Sequence, residues 1–137
     1  MKNAYGVTLK MVREKMGITL EEVNKWTAID QKDLTAFEAG EDNISNNGFK
    51  YFSKIYASFL TLLGKENSFD FKEVEDEVYR DRYRKAKYSV IYNESLKSYT
   101  VTSTDAPEYG GKTFVITDFP SEEKAHGFIE GFEFGIK

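Results

Sequence analysis

The residues best suited to catalysis or metal binding are few in this sequence. It contains no cysteine, which excludes thiolate nucleophiles, thiolate zinc sites and disulfides. His126 is the single histidine, and Glu122 and Glu130 stand one helical turn to either side of it. That arrangement can serve as a general base or as one metal ligand, but the sequence places no nucleophile beside it. A solvated histidine accounts for the same pattern, so we predict no catalytic residues and no enzyme.

Two further clusters lack the spacing that their chemistry requires. The acids Asp105, Glu108 and Asp118 do not follow the spacing of a calcium-binding loop. The Gly110-Gly111 pair lacks the rest of a phosphate-cradling glycine motif. We therefore predict no bound metal and no cofactor.

The charge distribution limits where a nucleic acid could bind. The 137-residue chain carries 19 basic and 23 acidic side chains, and the whole deficit of −4 lies in residues 91–137. Nucleic-acid binders usually present a basic face, because phosphate contacts dominate their affinity. Any such site must therefore be a local patch in the neutral part of the chain. The acidic C-terminal part is better suited to a protein partner.

The composition is that of a globular protein. Apolar residues make up 40% of the chain and aromatic residues 15%, which is enough for one domain or for two small ones that share a core. No apolar run is long enough to span a membrane, and the first residues lack the apolar run of a signal peptide. We expect a cytoplasmic protein that makes no membrane contact.

Apolar spacing and capping residues predict two short helices at the start of the chain. The first covers residues 7–16 and ends at Gly17, a residue that commonly follows a helix. Thr19 then begins the second helix, with Glu22 three positions later, as in a capping box.

Two further helices are predicted before residue 66. Asp30 is a suitable N-cap for a helix that runs to residue 39, and Gly40 follows as its stop. Asn46-Asn47-Gly48 is expected to break the chain before a fourth helix, whose apolar residues recur at steps of three and four. A turn-like break that begins at Gly64 and extends to Ser68 is expected to end this helix. The first 66 residues are thus predicted to be a set of packed helices.

The order of these features resembles the lambda-repressor-like helix-turn-helix family, also called XRE-type or Cro/CI-like. The resemblance extends from residue 7 to about residue 62 and is strongest over residues 9–42. It rests on Arg13-Glu14, Gly17, Ile18-Thr19, Glu21-Glu22, Ile29 and Phe37-Glu38-Ala39-Gly40. In this family the second helix of the motif lies in the major groove of double-stranded DNA.

The resemblance also implies which residues would contact DNA. Early residues of the second motif helix would read base edges, since Gln can pair with adenine and Lys can donate to guanine. Phosphates would be held at the amide end of the first motif helix and by polar side chains after the motif. The implied positions are Thr19, Gln31, Lys32, Thr35, Ala36, Asn43 and Lys50. Because two half-sites are usually spanned together, a homodimer is expected.

Several residues depart from the family pattern and keep a second interpretation open. Leu20 replaces a common phosphate-binding Gln, Asn24 a small residue and Ala28 the turn glycine. Asp33 lies on the reading helix, and a carboxylate there repels the phosphate backbone. The alternative is a protein-interaction module, antitoxin-like or inhibitor-like, with weak or no DNA binding. Trp26 is predicted to belong to the core or to an interface.

The rest of the chain changes from helical to strand periodicity. Residues 69–87 are predicted to form an amphipathic helix with acids early and bases late, which complements the helix dipole. Residues 88–92, 98–103 and 112–117 are predicted strands, and Ser121 is expected to cap a final helix.

The predicted fold is therefore α+β. It has an all-α helix-turn-helix domain (1–66), a connector helix (67–87) and a small antiparallel three-stranded sheet with one helix (88–137). The leading function is a DNA-binding transcriptional regulator that acts as a dimer. Its C-terminal part would serve dimerisation, or the response to a ligand or to a protein partner.

Overall fold

The structure, a computed structural model, describes residues 4–41 and 46–136, and the side chains of residues 4–41 and 52–132. Its elements confirm the predicted α+β class, with helices first and a three-stranded antiparallel sheet and a last helix after them. In chain order they are α1 (Tyr5–Lys15), α2 (Leu20–Thr27), α3 (Gln31–Glu38), α4 (Asn46–Glu66), α5 (Phe71–Lys85), β1 (Lys87–Asn93), β2 (Ser98–Thr104), a 3-10 helix (Pro107–Tyr109), β3 (Thr113–Phe119) and α6 (Glu122–Ile136). In the part of the chain described, no helix combines the length and the apolar character needed to cross a membrane.

The chain forms two compact units whose boundary falls between Tyr79 and Arg80, inside α5. The first unit is Ala4–Tyr79, and the second contains the described residues from Arg80 onward. The predicted division instead assigned residues 67–87 to a separate connector.

The first unit is held together by one apolar face from each of its helices. Fully buried side chains come from α1, α2, α3 and α4, and Phe37 packs at 4.9 Å and 5.4 Å between ring centroids against Phe52 and Tyr56. The buried set consists of Val7, Leu9, Val12, Met16, Ile18, Val23, Leu34, Phe37, Phe52, Tyr56, Leu60, Leu63 and Val78. Burial of these faces, rather than helix propensity, stabilises such short helices.

Helices α1 and α3 approach so closely that only glycine fits between them. A Cβ on Gly6 would lie 1.8 Å from the carbonyl oxygen of Phe37. Real Cβ atoms do not come that near to backbone, so Gly6 permits the contact that sets α3 against α1.

Two predicted helix boundaries are wrong. Asn46-Asn47-Gly48 does not break the chain but forms the first residues of α4. The amide groups of a first helical turn have no intrahelical partner, so residues that favour turns are tolerated there. Gly64 does not end α4, which continues to Glu66. A Cβ on Gly64 would lie 2.6 Å from the Met16 sulfur, so this glycine provides room for α1 within the helix.

The second unit is a sheet of order β1-β2-β3 with α6 packed on one face. Strands β1 and β2 pair in an unbroken register from Lys87↔Thr104 to Asn93↔Ser98. The pairing of β2 with β3 shifts between Val101 and Thr102. Alternate strand residues meet α6 in a small core of Val101, Ile116 and Ala125, surrounded by Tyr88, Val90, Tyr99, Phe119, Phe128 and Ile129.

A buried ion pair completes the second unit. Arg82 of α5 makes two hydrogen bonds of 2.9 Å to the carboxylate of Asp105, in the loop after β2. The guanidinium carbon lies 5.4 Å and 5.5 Å from the ring centroids of Tyr83 and Phe114. Both charged side chains are removed from solvent, so the pair ties the helix to the sheet through a specific geometry.

Candidate nucleic-acid interface

The candidate interface is the segment α2–turn–α3, and capping hydrogen bonds define where each helix begins. Thr19 Oγ accepts a hydrogen bond of 3.1 Å from the amide of Glu22, and the Glu22 carboxylate accepts from the amide of Thr19 at 3.3 Å. Asp30 caps α3 by accepting from the amide of Lys32 at 2.8 Å. Both predicted caps are confirmed.

The turn between α2 and α3 is held by hydrogen bonds from side chains of α2. It contains neither the glycine nor the small residue that the resemblance leads one to expect. Ala28 adopts the left-handed conformation with φ of 59°, which a residue with a Cβ takes at some strain. Asn24 Nδ2 donates to the carbonyl of Ile29 at 2.5 Å, and Thr27 Oγ accepts from the Ile29 amide at 3.1 Å. The hydrogen bond from Asn24 accounts for this residue at a position where the resemblance expects a small one.

The C-terminal end of α3 is anchored by a buried polar network. Arg13 of α1 donates to the Glu38 carboxylate from Nε at 2.8 Å and from Nη2 at 3.0 Å. Its Nη1 donates to the carbonyl of Ile18 at 2.8 Å. The Tyr56 hydroxyl of α4 also donates to Glu38. Side chains of α1 and α4 therefore both donate hydrogen bonds to the Glu38 carboxylate of α3.

The electrostatics of this network follow from its burial. Burial and the adjacent charge of Glu38 raise the pKa of the Tyr56 hydroxyl well above its usual value. Burial disfavours the charged form of Arg13, but its hydrogen bonds to Glu38 and the charge of that carboxylate outweigh this effect and raise its pKa. Both side chains therefore keep at neutral pH the protons that they donate to Glu38.

The outer face of α3 is open to solvent at the predicted reading positions. Gln31, Lys32 and Thr35 are exposed, and Ala36 is half-buried. The opposite face holds Leu34, Phe37 and Glu38 in the core. Three of the four predicted readers therefore share an accessible helix face, and Asp33 is exposed beside them.

The predicted phosphate contacts are less uniform. Thr19 is exposed, but its hydroxyl and its amide are both engaged with Glu22. Asn43 lies outside the described residues. Lys50 belongs to α4, and its side chain lies outside the described part.

His126, the histidine considered above as a general base, is exposed on α6 with its Nε2 3.5 Å from Glu122 Oε1.

Two exposed residues of α2 lie outside the set of DNA-contacting positions that the resemblance implies. Trp26, predicted to belong to the core or to an interface, is 57% exposed and therefore lies outside the core. Lys25, next to it, is also exposed. A tryptophan directly after Lys25 on a short helix was the available signal, but its apolar character favoured burial.

The charge of the motif is acidic. Residues 19–41 contain six carboxylates and two lysines, and one of the carboxylates, Glu38, is paired with Arg13.

Comparison of the chain with protein-family models, with curated proteins and with solved structures finds no match. The relationship to lambda-repressor-like proteins accordingly stays a prediction from the sequence.

Proposed function

We propose that this protein is a sequence-specific transcriptional regulator that binds double-stranded DNA as a homodimer and acts in the cytoplasm. One observation supports this function above others. Helix α3 presents Gln31, Lys32 and Thr35 to solvent, while its opposite face is fixed by Leu34, Phe37 and Glu38. A helix that is anchored on one side and bears amide, ammonium and hydroxyl groups on the other has the form of a major-groove reader.

The anchoring of α3 bears directly on this role. Base contacts depend on placing a few side chains to within a fraction of an ångström, so a reading helix needs a rigid support. Arg13, Tyr56 and Gly6 supply that support from two other helices. The second unit would provide dimerisation or respond to a ligand or partner.

The experiment is selection of bound duplexes from a random pool with the full chain, followed by titration of the selected duplex. Lys32→Gln is expected to weaken binding by about 5- to 150-fold, because a good base contact contributes about 1–3 kcal/mol. Lys124→Gln, an exposed lysine on α6, is the matched control and should leave binding unchanged. Enrichment of no duplex, or equal affinities for the two variants, would refute the reading role.

A second candidate function is a protein-interaction module, and the surface of the motif favours it. Six carboxylates against two lysines over residues 19–41 oppose the approach of phosphates, and the exposed Trp26 is typical of interface anchors. Salt dependence separates the two functions. DNA binding should weaken steeply between 50 mM and 200 mM salt, whereas association centred on Trp26 should change little and be lost in Trp26→Ala.

A further inference from the structure

The sheet of the second unit has two edge strands that differ in how they are protected. Within the described residues, β1 and β3 each pair with β2 alone. Strand β3 carries the register shift opposite Val101 and Thr102, and Asp118 lies within it. Irregular pairing and a charge within the strand are two devices by which proteins prevent an edge from adding another strand. Strand β3 is therefore a protected edge.

Strand β1 has no irregular pairing and no charge after its first residue. Its sequence is KYSVIYN, whose only charge is at the first residue and which contains no proline or glycine. Its register with β2 is unbroken over all seven residues. Ile91 and Tyr92 are 55% and 51% exposed on it. An uncharged edge rich in β-branched and aromatic residues is a template for further pairing.

We infer that β1 pairs antiparallel with β1 of a second copy of this chain, forming one six-stranded sheet. Among the possible registers, the one centred on Val90 pairs all seven residues, Lys87 to Asn93. In this register, residues on one face of the sheet lie opposite residues on the same face in the second copy. The sheet face that packs on α6 is therefore continuous across the two copies.

The strand is complementary to itself in this register. Tyr88 lies opposite Tyr92 of the second copy, which gives two aromatic cross-strand pairs. Ser89 lies opposite Ile91 of the second copy, so the exposed isoleucine gains a neighbour. Lys87 lies opposite Asn93 of the second copy, next to its Glu94, so each basic end meets an acidic end. No other occupant needs to be supplied to satisfy these groups.

This inference identifies the surface through which the homodimer of the proposed function would form. It rests on the proposed function only for the expectation that the chain is a dimer.

Ser89 and Ile91 are exposed on the side of the sheet opposite the α6 core, which allows substitution without disturbing that core. Ser89→Lys with Ile91→Lys places lysines opposite lysines on both sides of the central Val90 pair. Ser89→Lys with Ile91→Glu places opposite charges there instead.

The test is sedimentation equilibrium of the full chain up to about 100 µM, where a micromolar dimer is almost fully formed. The natural chain and the charge-paired variant S89K/I91E should be dimers. The variant S89K/I91K should dissociate with a Kd raised about tenfold or more. The control T113K/V115K alters the exposed positions of β3 and should leave the dimer unchanged. Far-UV circular dichroism checks that each variant is folded.

Several outcomes would overturn the inference. They are a monomeric natural chain, a dimer Kd in S89K/I91K equal to that of the natural chain, or a dimer lost only when β3 or the exposed Ile55 and Leu62 of α4 are changed. Dissociation of S89K/I91E to the same extent as S89K/I91K would refute the register. DNA selection is scored separately. A dimer broken at β1 in a chain that enriches no duplex would support this inference and refute the proposed function.

Discussion

Among the described residues, each compact unit contains a buried arginine–carboxylate pair, and the two pairs have different surroundings. In the first unit, Glu38 accepts from Arg13 and from the Tyr56 hydroxyl, and Arg13 also donates to a backbone carbonyl. In the second unit, Asp105 faces Arg82 between aromatic rings. The Glu38 carboxylate of the first pair thus accepts hydrogen bonds from two side chains. For the Asp105 carboxylate of the second pair, the guanidinium of Arg82 is the one side-chain donor among the contacts described.

This difference determines how each unit should respond when its arginine is lost. A buried carboxylate that keeps a second donor remains partly compensated, whereas one that loses its guanidinium is left as a buried charge. The comparison matters for function because the tolerant network supports α3, the proposed reading helix, and the sensitive pair supports the proposed dimerisation unit.

The largest predicted effect is that of Arg82→Met, which should lower the free energy of unfolding by about 3–5 kcal/mol. Arg13→Met should lower it by less, about 2 kcal/mol, because Tyr56 still donates to Glu38. Urea unfolding measures both losses, and hydrogen exchange assigns each to its unit.

Arg84→Met is the matched control, since Arg84 lies on the same helix as Arg82 in an exposed ion pair with Asp81. It should change stability by less than about 1 kcal/mol. Adding Asp105→Leu to Arg82→Met should recover most of the loss. An equal or larger loss for Arg13→Met would contradict the ranking of the two pairs.

The next prediction compares buried tyrosines of the two units at alkaline pH. Burial, followed by the charge of Glu38, raises the pKa of Tyr56 in the first unit. Burial, followed by a hydrogen bond to Asp81, raises the pKa of Tyr109 in the second. Their stabilising effect is complete below the unfolded pKa near 10 and is lost progressively as pH rises above it, because the unfolded chain then releases protons that the folded chain retains.

Tyr56→Phe should therefore reduce the alkaline decline in stability of the first unit by up to about 1.4 kcal/mol per pH unit above pH 10. Urea unfolding at a series of pH values measures the slope. The same variant at pH 7 is the control, as it reports the loss of the hydroxyl contact alone. An unchanged slope would show that Tyr56 ionises as easily in the folded chain as in the unfolded one.

The smallest predicted effect concerns one strained turn in each unit. Ala28, between α2 and α3, has φ of 59°, and Lys97, between β1 and β2, has φ of 50°. Ala28→Gly and Lys97→Gly should each raise stability by about 0.5–1 kcal/mol, because glycine adopts this conformation without a Cβ clash. Ala39→Gly is the control at a helix end with φ of −81° and should lower the melting temperature instead. A loss of stability in both turn variants would mean that their side chains contribute more than the strain removes.

Local signals in the sequence were sufficient for the order and type of the elements. The caps at Thr19 and Asp30, the change from helical to strand periodicity and the cap at Ser121 were each predicted, because capping and periodicity involve residues within a few positions of one another. The same signals placed Gln31, Lys32 and Thr35 on the first turns of α3. Whether those residues contact DNA remains a prediction.

Tertiary structure alone decided the rest. Gly64 suggested a helix end, but it lies within α4, where the Met16 sulfur would be 2.6 Å from a Cβ at this position. Trp26 was predicted to lie in the core or at an interface, and the packing of the helices leaves it outside the core. The support of α3 joins Arg13, Glu38 and Tyr56, which are 25 and 18 positions apart in the chain. Contacts between such distant residues arise when helices pack against one another, and no local pattern of residues encodes that packing.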